Sequence, residues 1–459
     1  GYDWQRLAGD FKLCNVYTTL HQQRLLSSFM RDKSLTGMWF GSYVAGMDEG
    51  HMRSHPWSSL FQGMNSAWWW TAFSSSGGAG GASAFSPDFS PLPALQQTLE
   101  EIGDIKSGIG KLLLSSKKSP ARIAIQYSSV NLYASIVNPR DVPIPSLTHS
   151  WDSFALAFDT LGLDYSFLAS KSIEQGGLKD YKVLVLPFAQ SLSQREVAQI
   201  RAFVQSGGLV IADYFPGIMD QNCRMLPESS LADVFGKFSA CSINNFGRGK
   251  SLYLGGYDKK AISGFLLSAG IEPRVKVAEK ESGKASEGMT TAVFANGGVT
   301  YIGVLPDYKT AKKQSAEITF PVTGHIYDVR SKKYCGFASK ITDLLTPGSA
   351  KVYAVSPYKV AGVQVSSFDS KIKRGRELKF QIRIKADTGR LAPHVVRIEL
   401  INPKGMIVPE YAQNILVEGG ICSAGSKVPF AYNELTGIWH IRVKDVMSGA
   451  SGEAEFAVE

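Results

Sequence analysis

Cysteine is scarce in this chain. Five residues, Cys14, Cys223, Cys241, Cys335 and Cys422, are scattered over 459 positions, with no CxxC pair. That spacing excludes a cysteine zinc cage, and the odd count excludes a full disulfide framework while leaving room for one bridge. No apolar run approaches the roughly 18–20 residues that span a bilayer, so no membrane span is expected. The opening residues GYDWQRLAGD lack the basic and apolar regions of a signal peptide, and they lack an initiator Met. They read like the middle of a longer protein, so the compartment is left open, with an immunoglobulin-like pattern in the last hundred residues leaning towards an extracytoplasmic one. No Asn-x-Ser/Thr sequon occurs, no internal repeat is visible, and no dense Lys/Arg cluster with interleaved aromatics suggests nucleic acid. The net charge of +9 is modest and spread out. With 44% apolar and 19% charged residues, the composition is that of a globular protein. The length allows roughly two to four domains.

What the chain does contain divides into four parts. Residues 1–116 alternate apolar runs with helical patterns. LCNVYTTL, LTGMWFGSYV and SAWWWTAF read as buried strands. HPWSSLFQGM, with Trp57, Leu60, Phe61 and Met64, has helical spacing. A Gly/Ser loop follows. Then Leu92, Leu95, Leu99, Ile102, Ile105, Ile109 and Leu112 mark one face of a single amphipathic helix. Residues 117–285 alternate strand and helix, with near-continuous apolar strands that imply a parallel sheet covered on both faces. Ser193 and Glu196 form a capping box at the start of one of its helices. Residues 286–357 read as a small β-domain with a hairpin through Asn296-Gly297. Residues 358–459 alternate Leu378, Phe380, Ile382 and Ile384 with charged residues, the pattern of an immunoglobulin-like sandwich.

Three stretches carry a family resemblance. HPWSSLFQGMNSAWWWTAF resembles the last helix and strand of the barrel in glycoside hydrolase family 42, the β-galactosidases. GGLVIADYFPGIMDQNCRML resembles their trimerisation domain, a flavodoxin-like fold related to class I amidotransferases. FPVTGHIYDVRSKKYCG resembles the small β-domain after it. The resemblance implies a multidomain α/β plus all-β protein. Residues 1–116 would be the C-terminal part of a (β/α)8 barrel, 117–285 a flavodoxin-like trimerisation domain and 286–357 a small β-domain. An Ig-like β-sandwich is appended at 358–459. A full barrel takes about 200–250 residues. The remainder would therefore come from an upstream part of the same protein or from a companion chain, and the assembly would be a homotrimer.

The three consecutive tryptophans then have a place. On a barrel strand Trp68 and Trp70 face one way and Trp69 the other. Indole platforms suit the apolar faces of sugars, and Trp39, Tyr43, Trp69 and Trp70 are the sugar-contact candidates. The plain alternative is that all three tryptophans fill the barrel wall against the helix that follows. Retaining glycosidases need two carboxylates. The resemblance places the nucleophile at Gly41 or Ser42, and neither is acidic. Glu49, beside Asp48 in GMDEGH, is the nearest catalytic candidate, against a plain reading of solvated loop charges. Tyr43 is a second nucleophile candidate that lacks an identified base. The general acid would lie upstream.

Rival sites are weaker. His51 and His55 are spaced i, i+4, but Pro56 follows at once and argues against a helix, so no metal site is expected. The Gly-rich loop 77–81 lacks phosphate-loop spacing. No Cys sits on an elbow after KVLVLPFA or LVIADYF, which discards glutamine hydrolysis. Lys371, Lys373, Arg374, Arg376, Lys379, Arg383 and Lys385 form a basic stripe suited to an anionic polymer, or to plain solvation. The sequence thus points to a β-galactosidase-like glycoside hydrolase fragment binding carbohydrate, with no cofactor. The alternative is a catalytically inactive trimeric, surface or carbohydrate-binding protein on the same scaffold.

Overall fold

The computed structural model describes residues 3–17, 20–30, 34–40, 49–69, 72, 84–135, 147–367, 370–388, 391–419, 421–422 and 427–459. The chain opens with α1 (Trp4–Asp10), whose N-terminus is capped by the Asp3 carboxylate accepting from the Arg6 N–H at 3.1 Å. Three β/α units follow: β1 (Leu13–Tyr17), α2 (Leu20–Phe29), β2 (Leu35–Phe40), α3 (Glu49–Phe61) and β3 (Ser66–Trp69), then α4 (Pro93–Asp104) and α5 (Gly110–Leu114). The strands pair in parallel in the order β1-β2-β3, with Gly37 opposite both Asn15 and Ser66. One face of this sheet is closed: Val16 of β1 packs with Leu26 of α2 and with Met64. The other face carries Leu13, Leu35 and Trp68, which are 53%, 40% and 39% exposed. Parallel sheets are ordinarily covered on both faces. Among the described residues the three strands therefore form an arc, not a closed cylinder.

Two helices depart from expectation. α3 runs straight through Pro56, so the proline that argued against a helix lies inside it. Such a proline removes one backbone hydrogen bond, at a cost of roughly 3 kcal/mol. Burial of Trp57, Leu60 and Phe61, all at most 3% exposed, offsets it. The long helix expected after the Gly/Ser loop is broken by a π-helical turn, Ile105–Ile109, between α4 and α5. There Gly108 takes φ +124°, and a Cβ on it would lie 2.4 Å from the Val446 side chain. The expected apolar face is accordingly split: Leu99 is 38% exposed, while Thr98 and Glu101 are buried.

The second unit begins after β4 (Lys117–Lys118). It comprises β5 (Ile123–Tyr127), α6 (Ser129–Ala134), α7 (Leu147–Thr160), β6 (Tyr165–Ala169), α8 (Ser170–Glu174), β7 (Val183–Leu186), α9 (Gln194–Gln205), β8 (Leu209–Asp213), α10 (Ala232–Phe235), β9 (Cys241–Phe246), β10 (Gly249–Leu254) and α11 (Lys259–Ser268). The sheet order is β6-β5-β7-β8-β10-β9, parallel except for β9 at the edge. Its five parallel strands follow the 2-1-3-4-5 order of a flavodoxin-like doubly wound sheet. Every residue of β5, β7 and β8 is buried, as their unbroken apolar runs require. The Ser193–Glu196 capping box forms as read from the sequence.

The third sheet takes β11 (Lys276–Glu279), β12 (Met289–Asn296), β13 (Val299–Pro306), β14 (Gln314–Asp328), β15 (Lys333–Leu345) and β16 (Lys351–Ser356). Its order is β11-β14-β16-β13-β12-β4, with β15 paired on β14. It thus recruits strands on either side of the second unit, tying the chain back on itself. The β12–β13 hairpin turns at Gly297 and Gly298, both at positive φ. The last part is a two-sheet sandwich of β17 (Val360–Ser367), β18 (Lys371–Ile372), β19 (Glu377–Ala386), β20 (His394–Ile401), β21 (Gln413–Val417), β22 (Ile421–Cys422), β23 (Lys427–Pro429), β24 (Gly437–Asp445) and β25 (Ser451–Val458). Leu378, Phe380, Ile382 and Ile384 point inward and Lys379, Arg383 and Lys385 outward, as their alternation predicts.

The sandwich is not a bead on a string. Its core residues Trp439, Ile441 and Val443 join Trp57 and Phe61 of α3, Leu112 and Leu113 of α5, and Tyr301 of β13 in one contiguous hydrophobic cluster. Phe61 lies against Gly303, where a Cβ would come within 2.5 Å of the ring. Polar contacts tie the first part of the chain to the third. Trp57 donates its indole N–H to Glu101 at 2.6 Å, and Arg330 pairs with both Glu101 and Asp104 at 2.6 Å.

Candidate carbohydrate-binding face and the second-domain elbow

The bare face of the first sheet is the place where sequence and structure meet. Strand alternation puts Ser66 and Trp68 on that face and Ala67 and Trp69 on the other. Trp68 is 39% exposed, and its indole N–H donates to Ser66 Oγ at 2.9 Å. It lies over Gly37 of the neighbouring strand, where a Cβ would sit 2.7 Å from the indole. Gly37 is therefore what lets the ring lie flat across β2. Trp39 is opposite Trp68 in the register. A half-exposed indole over a glycine is a flat apolar platform with one polar edge, the form that suits a pyranose.

Trp69 is placed differently. It packs on the helix side with Met52, Ala84 and Leu95, and the His55 ring meets it edge-on at 5.4 Å. Trp68, not among the candidates chosen from sequence, is an indole on the open face. A glycine inside the apolar run LTGMWF was the available signal, because a strand glycine often marks close approach of another group. Glu49 is the first residue of α3. Tyr43 and Trp70 lie outside the described residues, as do Gly41, Ser42, Asp48 and the loop 77–81. None of the three described strands carries an Asp or Glu.

His51 and His55 do share a helix, but their rings part company. His51 stacks on Tyr308 at 4.8 Å, whereas His55 turns to Trp69. Among the described residues no three His, Cys, Asp or Glu side chains are grouped as metal ligands.

The second unit has its own special geometry at the carboxyl ends of its strands, where doubly wound sheets place ligands. After β7 the chain makes a tight elbow at Phe188, with φ +48°. A nucleophile would occupy such an elbow in an amidotransferase, but here the residue is a phenylalanine that is 1% exposed. Its N–H donates to the Asp213 carboxyl at 2.6 Å, and Ser150 Oγ donates to the other oxygen. Burial pushes the Asp213 pKa up to about 7, against the lowering effect of these two bonds. Next to it Asn131 accepts from the Ser191 N–H at 2.7 Å, and Gln126 donates to Glu196 at 2.8 Å. These side chains bond one another across the crevice.

Residues 121–320 match the family model of the β-galactosidase trimerisation domain of glycoside hydrolase family 42. Those residues are therefore related to that trimerisation domain. Its fold is similar to the β-galactosidase from Bacillus circulans sp. alkalophilus, at 14% identity and a TM-score of 0.60, over 77% of this chain and 62% of that one. The family 42 β-galactosidase of G. stearothermophilus gives 13%, 0.61, 77% and 61%, and that of Rahnella sp. R3 gives 15%, 0.55, 77% and 61%. At these identities the likeness is one of fold. The chain spans about three fifths of the length of these solved β-galactosidases. No curated protein matches it.

Proposed function

We propose that this chain is the C-terminal portion of a β-galactosidase-like glycoside hydrolase that acts on β-linked galactosides once its barrel is completed. The carrying observation is the bare apolar face of the β1-β2-β3 arc, with Trp68 lying across Gly37. In this reading the arc is the last three strands of a (β/α)8 barrel and the bare face is its lumen wall. Trp68 floors the sugar site, and Trp39, its partner in the strand register, and Tyr43 and Trp70 are the further sugar-contact candidates from the sequence. Trp69 serves as the packing indole behind them. Glu49, at the start of α3, supplies a carboxylate, and the general acid comes from the completing strands. The flavodoxin-like unit holds a trimer.

One feature favours a second reading, a trimeric carbohydrate-binding protein without catalysis. Gly41 and Ser42 stand where the family resemblance expects the nucleophile. Hydrolysis of a nitrophenyl β-galactoside separates the two readings, measured with the whole chain plus the barrel-completing segment. The hydrolase reading expects turnover that falls at least about a hundredfold in Glu49→Gln, the scale of losing a catalytic proton-transfer group. Galactoside binding without turnover supports the second reading. If Trp68→Ala leaves galactoside binding unchanged, both readings of the open face fail.

A further inference from the structure

A cavity of about 300 Å³ opens between α2, α3 and the end of β13. That is the lower end of the size range for small-molecule sites, enough for one sugar unit and no more. We propose that it binds a neutral, polyhydroxylated molecule the size of a monosaccharide. The inference is independent of whether the barrel strands catalyse.

The walls are fixed in advance. The turn between β15 and β16 reaches α3 so closely that a Cβ on Gly348 would lie 2.8 Å from the Gly50 carbonyl oxygen. Phe61 seated against Gly303 pins the other end of α3 to β13. A site held between two clamped elements needs little ordering when a ligand enters.

The lining is chemically balanced. Asp307 uses Oδ1 to accept from the N–H groups of Lys309 and Thr310 and from the Thr310 hydroxyl, at 3.0, 2.7 and 2.8 Å. Its Oδ2 is left with no partner among the described residues, an acceptor for ligand hydroxyls. Gln23 accepts a long bond of 3.4 Å from Ser58 Oγ, and its amide N–H groups are left to donate. Ser54 Oγ donates to the His51 carbonyl at 3.0 Å and can still accept. Leu305 and Pro306 supply an apolar floor, and the His51–Tyr308 stack forms an aromatic edge. Among the described residues no lysine or arginine lines the cavity, the Lys309 ammonium lying over the Tyr308 ring 5.4 Å from its centre, and the Asp307 carboxylate disfavours a phosphate or carboxylate. A carboxylate oxygen, an amide donor, hydroxyls and an apolar floor match the alternating C–H and O–H groups of a polyol.

Saturation-transfer NMR on the whole chain, with D-galactose as the probe, tests the site. Asp307→Asn keeps Oδ1 for the turn and replaces the free oxygen, and Ser58→Phe fills the cavity. Each is expected to weaken binding by about tenfold or more, the scale of one charge-assisted hydrogen bond. A thermal melt of each variant establishes that it folds. Equal transfer in the folded variants and the parent overturns the proposal, as does absence of transfer in the parent. Transfer lost in Trp68→Ala but not in Asp307→Asn also overturns it, while leaving the proposed function standing. Tighter binding of inorganic phosphate than of galactose would overturn the ligand class.

Discussion

At the end of β8 a carboxyl group sits where almost no water reaches it. Asp213 is 4% exposed, and its pKa is pushed up to about 7 by burial. Unfolded, it returns to 3.8. Its folded pKa is the higher one, so its contribution to stability is full below about pH 4 and is lost as pH rises through about 7. Each pKa unit is worth about 1.4 kcal/mol. Asp213→Asn should therefore flatten the decline in melting temperature between pH 5 and pH 8. An unchanged slope would show that another group governs it. Little of this was legible beforehand: LVIAD announces a buried strand, but not that its last residue faces Ser150 and the Phe188 elbow. The tryptophans teach the same limit. Alternation fixed that Trp68 and Trp69 oppose each other, but absolute phase depends on which face the helices cover. Only Gly37 hinted at the answer.

At the scale of elements, capping boxes and hairpins were readable because their signals are local. The Ser193–Glu196 cap and the turn through Gly297 both form as expected. The two misread helices were misread for non-local reasons. Pro56 sits beside Trp57 and Phe61, which other parts of the chain bury, and the π-turn packs against Val446 of the sandwich. Gly108 is the residue that permits this contact, with Asn414 donating to the Lys106 carbonyl at 2.8 Å alongside. Gly108→Ala combines an unfavourable φ with a clash against Val446. It should cost about 2 kcal/mol or more in denaturant unfolding. It should also expose the sandwich joint to limited proteolysis before the rest of the chain. Parental stability in that variant would mean the π-turn is incidental.

At the scale of the whole molecule, the order of parts was visible in the sequence, but their degree of union was not. Alternating and helical patterns announce faces without saying which faces meet, so the sandwich read as an appendage. Association is the property to measure first. Multi-angle light scattering of the purified chain is expected to give three times its 49.9 kDa mass. A monomer at micromolar concentration would count against the trimer. The single cluster running from Trp57 and Phe61 into Trp439 has a practical corollary. Excising residues 358–459, or grafting them elsewhere as a portable tag, would tear open an oily seam on both fragments. Anyone trimming this protein for expression should expect neither piece to stay in solution alone.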